Sequence, residues 1–266
     1  MASFSVINNV AAANAQVNLV QTNMGLRTAL TRLSSGLRIN NSGDDAAGLS
    51  VANSYRSKVA VLGQGIRNAN DGLSTLQIKD GALNNISNLL DRLATLATQA
   101  ASTSSSVDRT KLNLEFKSVV AEIDREANVA GLTVSAGFSV FVSNDGTNGV
   151  VGGSIAAADA TGLGVAGAHV ETAIHAAAAV ILISAAVGTL GTAQANVCAL
   201  ENRLQFAVGL AQSQSVNTQA ADSRIRDANI AEESAAMTKF NILTQSGIAA
   251  LSQANQSSQA VLTLLR

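Results

Sequence analysis

A mainly α-helical fold is expected: a long, coiled-coil-like helical bundle formed by the N- and C-terminal segments, with a small β-hairpin in the middle. Three observations predict it. Proline is absent from all 266 residues, so helices run until glycine or a polar cluster stops them. Apolar residues recur in steps of three and four over long stretches towards both ends of the chain, the spacing of a helix buried along one stripe. Between them, residues from Thr133 to about Ala168 carry the alternation of short strands.

The first helix is expected from about Ser3 to Leu37, ending in the turn-rich Asn40-Asn41-Ser42-Gly43-Asp44-Asp45. Ile7, Val10, Val17, Val20 and Met24 form one stripe on it, and Leu19, Leu26, Leu30, Leu33 and Leu37 form another. A turn of ~100° per residue sets Met24 and Leu26 on opposite sides, so this helix needs partners on two faces. A second helix starts at an Asp44/Asp45 cap and runs to about Ala101. Tyr55, Val59, Leu62, Ile66, Ala69, Leu73 and Leu76, then Leu83, Ile86, Leu90, Leu93 and Ala97, give it a sustained heptad, interrupted at Asp80.

The run Ser102-Thr103-Ser104-Ser105-Ser106 breaks that helix, and Ser105 with Asp108 has the spacing of a capping box. A shorter helix follows, with Leu112, Phe116, Val119 and Ile123 on one face and its end near Gly131. Phe138, Val140 and Val142 then alternate, Asn144-Asp145-Gly146 marks a turn, and Val150 to Ile155 returns as the second strand. A Gly/Ala-rich loop leads to about Glu171, where the helical pattern resumes. Leu190, Val197, Leu204 and Ala211 repeat at sevens, with Leu200 and Ala207 beside them, and little stops the helix before Ala220-Ala221-Asp222. The last segment shows Ile230, Met237, Thr244, Leu251, Ser258 and Leu265 at sevens, accompanied by Phe240, Ile248 and Leu262. Heptad helices at both ends bring the termini together in one bundle.

Composition excludes several classes. Charged residues are 13% and the formal net charge is −1, so there is no basic footprint for nucleic acid and no general attraction to anionic lipid. The single cysteine, Cys198, makes no intramolecular disulfide and reads as a small buried hydrophobe beside Val197. The first ten residues lack the basic start, apolar run and cleavage site of a secretory leader, so an exported chain takes a route without a cleaved leader. The longest apolar run, Ala173–Gly188, is interrupted by His175 and Ser184 and is shorter than the roughly 20 residues of a spanning helix. No membrane insertion is expected, which also counts against an amphipathic translocator.

The stretch Leu33-Ser-Ser-Gly-Leu-Arg-Ile-Asn-Asn-Ser-Gly-Asp-Asp-Ala-Ala-Gly-Leu49, then Arg67-Asn-Ala-Asn-Asp-Gly-Leu73 and Gly81-Ala-Leu83, resembles the N-terminal region of bacterial flagellins. Glu201-Asn-Arg-Leu204, Ser223-Arg-Ile-Arg-Asp-Ala-Asn229 and the run from Leu251 to Arg266 resemble their C-terminal region. The likeness covers about residues 1–132 and 172–266. It implies a secreted, extracellular subunit of the flagellar filament, exported through the flagellar type III channel with an export chaperone and assembled under a filament cap. Residues 1–43 and 223–266 would form the inner tube, D0. Residues 44–132 and 172–222 would form the D1 helical bundle, and 133–171 a hairpin and variable loop at its outer end. Outer domains D2 and D3 are not expected. The polymer is of identical chains, beside hook-associated proteins; a hook–filament junction protein is the alternative.

Inter-subunit packing is expected from Ile7, Val10, Val17, Met24, Leu26, Leu30, Leu33, Leu37, Ile230, Met237, Leu251, Leu262 and Leu265. The resemblance also points to Toll-like receptor 5 through Arg92, Leu96, Gln99 and Glu115, although Ala94 and Thr95 stand where the family usually has Arg and Glu. The competing reading of that segment is bundle packing by Leu90, Leu93 and Leu96, with Arg92 as an axial contact between subunits. His169, Glu171 and His175 do not have the His-Glu-x-x-His spacing of zinc peptidases and are read as structural or surface residues. No Ser/His/Asp constellation and no phosphate loop occurs, so no enzyme activity, cofactor or metal is expected.

Overall fold

The computed structural model describes residues 8–102, 108–143 and 146–264, with side chains except at residue 147 and from residue 258 on. These residues form α1 (Val10–Ser35), α2 (Ala46–Ala101), α3 (Arg109–Val129), β1 (Ala136–Phe141), β2 (Val150–Ile155), α4 (Ala173–Arg226) and α5 (Ile230–Leu264). The fold is mainly helical with one two-stranded sheet, as expected. It divides into two compact units, residues 1–57 with 218–266 and residues 58–217.

In the first unit α1 packs against α5. Asn9 caps α1, its side-chain oxygen accepting the Ala12 N–H at 3.0 Å. Gly36 ends it in the left-handed conformation, φ 70°, its N–H donating to the Arg32 carbonyl, where a side chain would be strained. The following turn is tied to the α4–α5 connection. The Arg38 N–H donates to the Arg226 carbonyl at 2.6 Å and the Ala228 N–H to the Gly36 carbonyl at 2.9 Å. The Asp44/Asp45 pair divides its work. Asp45 caps α2 by accepting the Gly48 N–H at 2.8 Å, whereas Asp44 accepts the N–H groups of Asn41 and Asn40, which hold its carboxyl below the ordinary carboxylate value.

Two boundaries differ from the sequence expectation. α4 continues through Ala220-Ala221-Asp222 to Arg226, because alanine is a strong helix former and nothing there breaks the chain. The break falls at Asp227-Ala228-Asn229, where the Asn229 side chain accepts the Ala231 N–H at 3.2 Å. Asp108 itself caps α3, accepting the Lys111 N–H at 3.3 Å; Ser105 lies outside the described residues.

The second unit has one continuous core. The α2 heptad supplies Leu62, Ala69, Leu76, Leu83, Ile86, Leu90, Leu93 and Ala97, all buried. From α3 come Phe116 and Ile123, and from α4 the sevenfold repeat Leu190, Val197, Leu204 and Ala211. The hairpin is antiparallel, pairing Ala136 with Ile155 through to Phe141 with Val150, and buries Val140, Val142 and Ile155. It sits close because α2 carries glycine beneath it: a Cβ at Gly65 would lie 1.7 Å from the Val142 carbonyl oxygen, and one at Gly72 would lie 2.7 Å from Val140 Cγ2. The Gly/Ala-rich segment after the hairpin is a packed element. Ala158, Ala160, Leu163, Val165 and Val170 are buried, the Asp124 carboxylate accepts the Ala160 N–H at 2.8 Å, and the buried Asn113 accepts the Val170 N–H at 3.1 Å.

Cys198 is exposed rather than buried. Its neighbour Val197 points into the core, and the next residue on a helix is turned by ~100° away from it. The heptad interruption at Asp80 has a counterpart on α4. Glu201 has a buried carboxylate oxygen with no hydrogen-bond partner, and burial, with the Asp80 charge, raises its pKa above the ordinary value of 4.5.

Two predictions follow from this core. Gly65→Ala lowers stability by about 2–3 kcal/mol because backbone must shift, whereas Gly81→Ala, exposed and clear of any neighbour within 4 Å, raises it by about 0.5–1 kcal/mol; thermal denaturation of the two variants checks both. The Glu201 carboxyl, with its raised pKa, contributes stability that is complete below about 4.5 and lost as pH rises through its folded value. Glu201→Gln therefore raises the melting temperature at pH 7, and the advantage shrinks towards pH 4.5 in a pH series of melting curves.

Candidate functional site

The pairing of α1 with α5 decides which apolar side chains are left over. The contacts along the pair form one antiparallel register. Asn9 Nδ2 donates to the Ala254 carbonyl at 2.9 Å, Leu19 lies against Gly247, and the Phe240 ring lies over Gly25. Near the turn, Arg32 pairs with Glu233 at 3.1 Å. On α1 the covered positions are Ala12, Ala15, Leu19, Leu26, Ala29 and Leu33, in the three-and-four steps of a coiled-coil seam. On α5 they are Glu233, Met237, Phe240, Thr244, Gly247, Leu251 and Ala254.

Small residues keep this seam close. Gly25 and Gly247 face large side chains, and Ala29 is the one fully buried residue of α1 among those described. Leu30 departs from the second stripe expected for α1: it is 46% exposed, because Ala29 occupies the seam and its neighbour is carried ~100° round the helix. Leu26, Leu33 and Leu37 are half-buried, as are Met237 and Leu251.

The other stripe is uncovered among the described residues. Val10, Val17, Val20 and Met24 are each more than half exposed, and they lie on the side of α1 opposite the seam. Ile230, Ile242, Leu243 and Ile248 are likewise exposed on α5. Ile7 and Leu265 lie outside the described residues, as does the side chain of Leu262. Removing one such aliphatic side chain from water is worth about 1.5–3 kcal/mol. A contiguous exposed apolar stripe of this kind marks a surface that completes itself against another molecule.

The remaining sequence candidates fall in the second unit. Arg92 and Glu115 form an ion pair between α2 and α3, Gln99 is exposed, and Leu96 is buried in the core. His169 and His175 stand in direct contact across the loop–α4 junction, a meeting the spacing of six gave no reason to expect. Among the described residues no group of three or more His, Cys, Asp or Glu is arranged to hold a metal ion.

α4 is more apolar over its length than the interrupted run Ala173–Gly188 suggests. It contains an 18-residue stretch of mean hydropathy 2.1, long and apolar enough by length and composition to cross a membrane. The uninterrupted apolar run is short, but an average tolerates His175, Ser184 and Thr189 within it. Ala176, Ala179, Ile183, Ala186 and Leu190 of this stretch are buried in the core at three-and-four spacing, while Ile174, Ile181, Leu182 and Val187 face outward.

Long paired helices that turn an apolar stripe away from their own seam define a class: structural proteins of helical build whose packing is completed by further chains. Residues 6–133 match the bacterial flagellin N-terminal helical region, and residues 180–265 match the bacterial flagellin C-terminal helical region. Flagellin FlaB1 of Treponema pallidum is 36% identical over 98% of this chain and 100% of its own length. The flagellin of Halalkalibacterium halodurans is 35% identical over 98% of this chain and 100% of its own length. The flagellar filament 33 kDa core protein of Treponema phagedenis is 36% identical over the same shares. A crystal structure of Bacillus cereus flagellin aligns with 59% of this chain and 94% of its own at a TM-score of 0.48 and 26% identity. The chain belongs to the bacterial flagellin family, a family of structural proteins.

The seam itself is open to test. Phe240→Ala removes the ring that lies over Gly25 and weakens the α1–α5 pair by about 2 kcal/mol. Hydrogen exchange is expected to speed up along α1 and α5 and to stay unchanged at the buried positions of residues 58–217.

Proposed function

We infer that this chain is a structural subunit of a bacterial flagellar filament, built for swimming motility through self-assembly and without catalytic activity. One observation carries the reading: the Val10, Val17, Val20 and Met24 stripe, exposed on the side of α1 away from α5. No described residue of the first unit covers it, and a second copy of the chain supplies apolar surface of the same kind from α5. Relatives named as flagellar filament core proteins in Treponema and Brachyspira favour a filament subunit over a hook–filament junction protein.

In the finer reading, residues 1–43 and 223–266 form the inner tube and residues 44–132 with 172–222 the surrounding bundle, with 133–171 at its outer end. The subunit is secreted with the help of an export chaperone, adds to the filament beneath a cap, and lies outside the cell. The Leu90 to Gln99 segment serves the bundle rather than a receptor. Leu96 belongs to the core, Arg92 is paired with Glu115, and Ala94 and Thr95 lack the charges a Toll-like receptor 5 site would use. Arg92, Gln99 and Glu115 keep solvent-facing atoms for contacts between subunits.

Val17→Asp places a charge on the outward stripe without touching the seam. The variant is expected to keep the native circular-dichroism spectrum and melting curve and to form no filaments when seeded with native fragments, as seen by electron microscopy. Filaments of normal length from Val17→Asp would overturn the assignment of this stripe.

A further inference from the structure

His169 and His175 are the two histidines of the chain, and the fold brings them together. His169 Nδ1 lies 3.1 Å from the Gly167 carbonyl oxygen. A carbonyl only accepts, so Nδ1 carries the proton and the neutral ring keeps its lone pair on Nε2. That Nε2 stands 3.0 Å from His175 Nδ1. The ring centroids are 4.3 Å apart and the planes are inclined at 57°.

Those distances separate a straight end-to-end pair from a folded one. Imidazoles joined end to end by a straight N–H···N bond of this length hold their centroids about 5.3 Å apart. Imidazoles side by side on one ion, with bonds of about 2.1 Å at right angles, hold their nitrogens about 3.0 Å and their centroids about 4.6 Å apart. The observed pair, with its facing nitrogens in hydrogen-bond contact, is folded as in the second rather than extended as in the first. The backbone on each side of it is anchored. The buried Asn113 accepts the Val170 N–H at 3.1 Å and donates to Glu171 at 3.0 Å, and the His175 N–H donates to Thr172 Oγ1 at 3.2 Å.

We propose that His169 and His175 form a two-histidine site for a divalent late first-row transition ion, with Cu2+ or Ni2+ as the matching class. Imidazole nitrogens suit these ions, and a right-angled pair fits square-planar or octahedral coordination, whereas tetrahedral zinc would spread the nitrogens to about 3.4 Å. Water fills the remaining positions, since no third ligating side chain converges there among the described residues. The Gly167 carbonyl is the outer partner that orients His169. Glu171 at the same junction is engaged by Asn113 and by Lys117 at 3.5 Å. Bound there, the ion would join the packed loop to the first turn of α4.

Calorimetric titration of the full chain with Ni2+ and with Cu2+ tests the site, alongside His169→Ala and His175→Ala. The native chain is expected to bind one ion at least tenfold more tightly than either variant, and the Cu2+ complex to show two nitrogen ligands by electron paramagnetic resonance. His175→Gln keeps a hydrogen-bonding side chain but no imidazole, and is expected to behave as His175→Ala does. Equal affinity in the native chain and the variants, or no binding by the native chain, would overturn the proposal.

Discussion

Burial along a single stripe of each long helix is the constraint on which the rest depends. A helix whose apolar residues recur every three or four positions must lay that stripe against something, and α1 lays Leu19, Leu26, Ala29 and Leu33 against α5. Glycine and alanine at the contact let the helices approach, with the Phe240 ring over Gly25 and Leu19 on Gly247. Arg32 and Glu233 then mark the register at the turn end. Once α5 occupies this side, the valines and Met24 on the far side of α1 are left exposed among the described residues of the unit. The surplus is a consequence of the pairing itself.

The unit formed by residues 58–217 solves the same problem differently. Its stripes from α2, α3 and α4 close on one another, and the hairpin and the packed loop complete the core. Its polar groups work at the joins. Asn113 and Asp124 hold the loop by its backbone N–H groups, Lys79 satisfies the Gly131 carbonyl at the end of α3, and Arg109 donates to the Ala100 and Ser102 carbonyls at the end of α2. These bonds satisfy helix ends and loop backbone that have no partner within a helix or strand. Exposed ion pairs such as Arg125 with Glu122 add little beside them, being screened by solvent. A chain with only 13% charged residues relies on packing and on such local bonds.

The same division explains why the apolar side chains on the outside are not equivalent. On α4, Ile174 and Ile181 are the outward residues of a helix whose inward face is already buried in a complete core. On α1, the outward stripe belongs to a helix whose seam is taken up by α5, and no described residue of the unit covers it. A two-helix pair buries at most one face of each member, so its leftover surface is the larger share of the element and the stronger drive to associate.

Much of this was legible in the sequence, because a heptad reports one-sided burial directly. The Leu62 to Ala97 pattern and the Leu190 to Ala211 pattern are core stripes where periodicity put them, and the first strand alternates as read. Residues next to a seam were harder: Cys198 and Leu30 sit one position from buried neighbours, and a turn of ~100° carries them outside. Helix ends depended on side-chain oxygens at Asn9, Asp45 and Asp108, where several polar residues in a row compete for the same backbone groups. The set of helices and most of the faces they bury follow from periodicity, which is a property of the chain alone. Only the tertiary structure decided that His169 meets His175, that Gly65 must pass under Val142, and that the 156–172 segment packs. Those contacts join residues far apart along the chain or lack any repeating pattern, and nothing short of the assembled backbone brings them within reach.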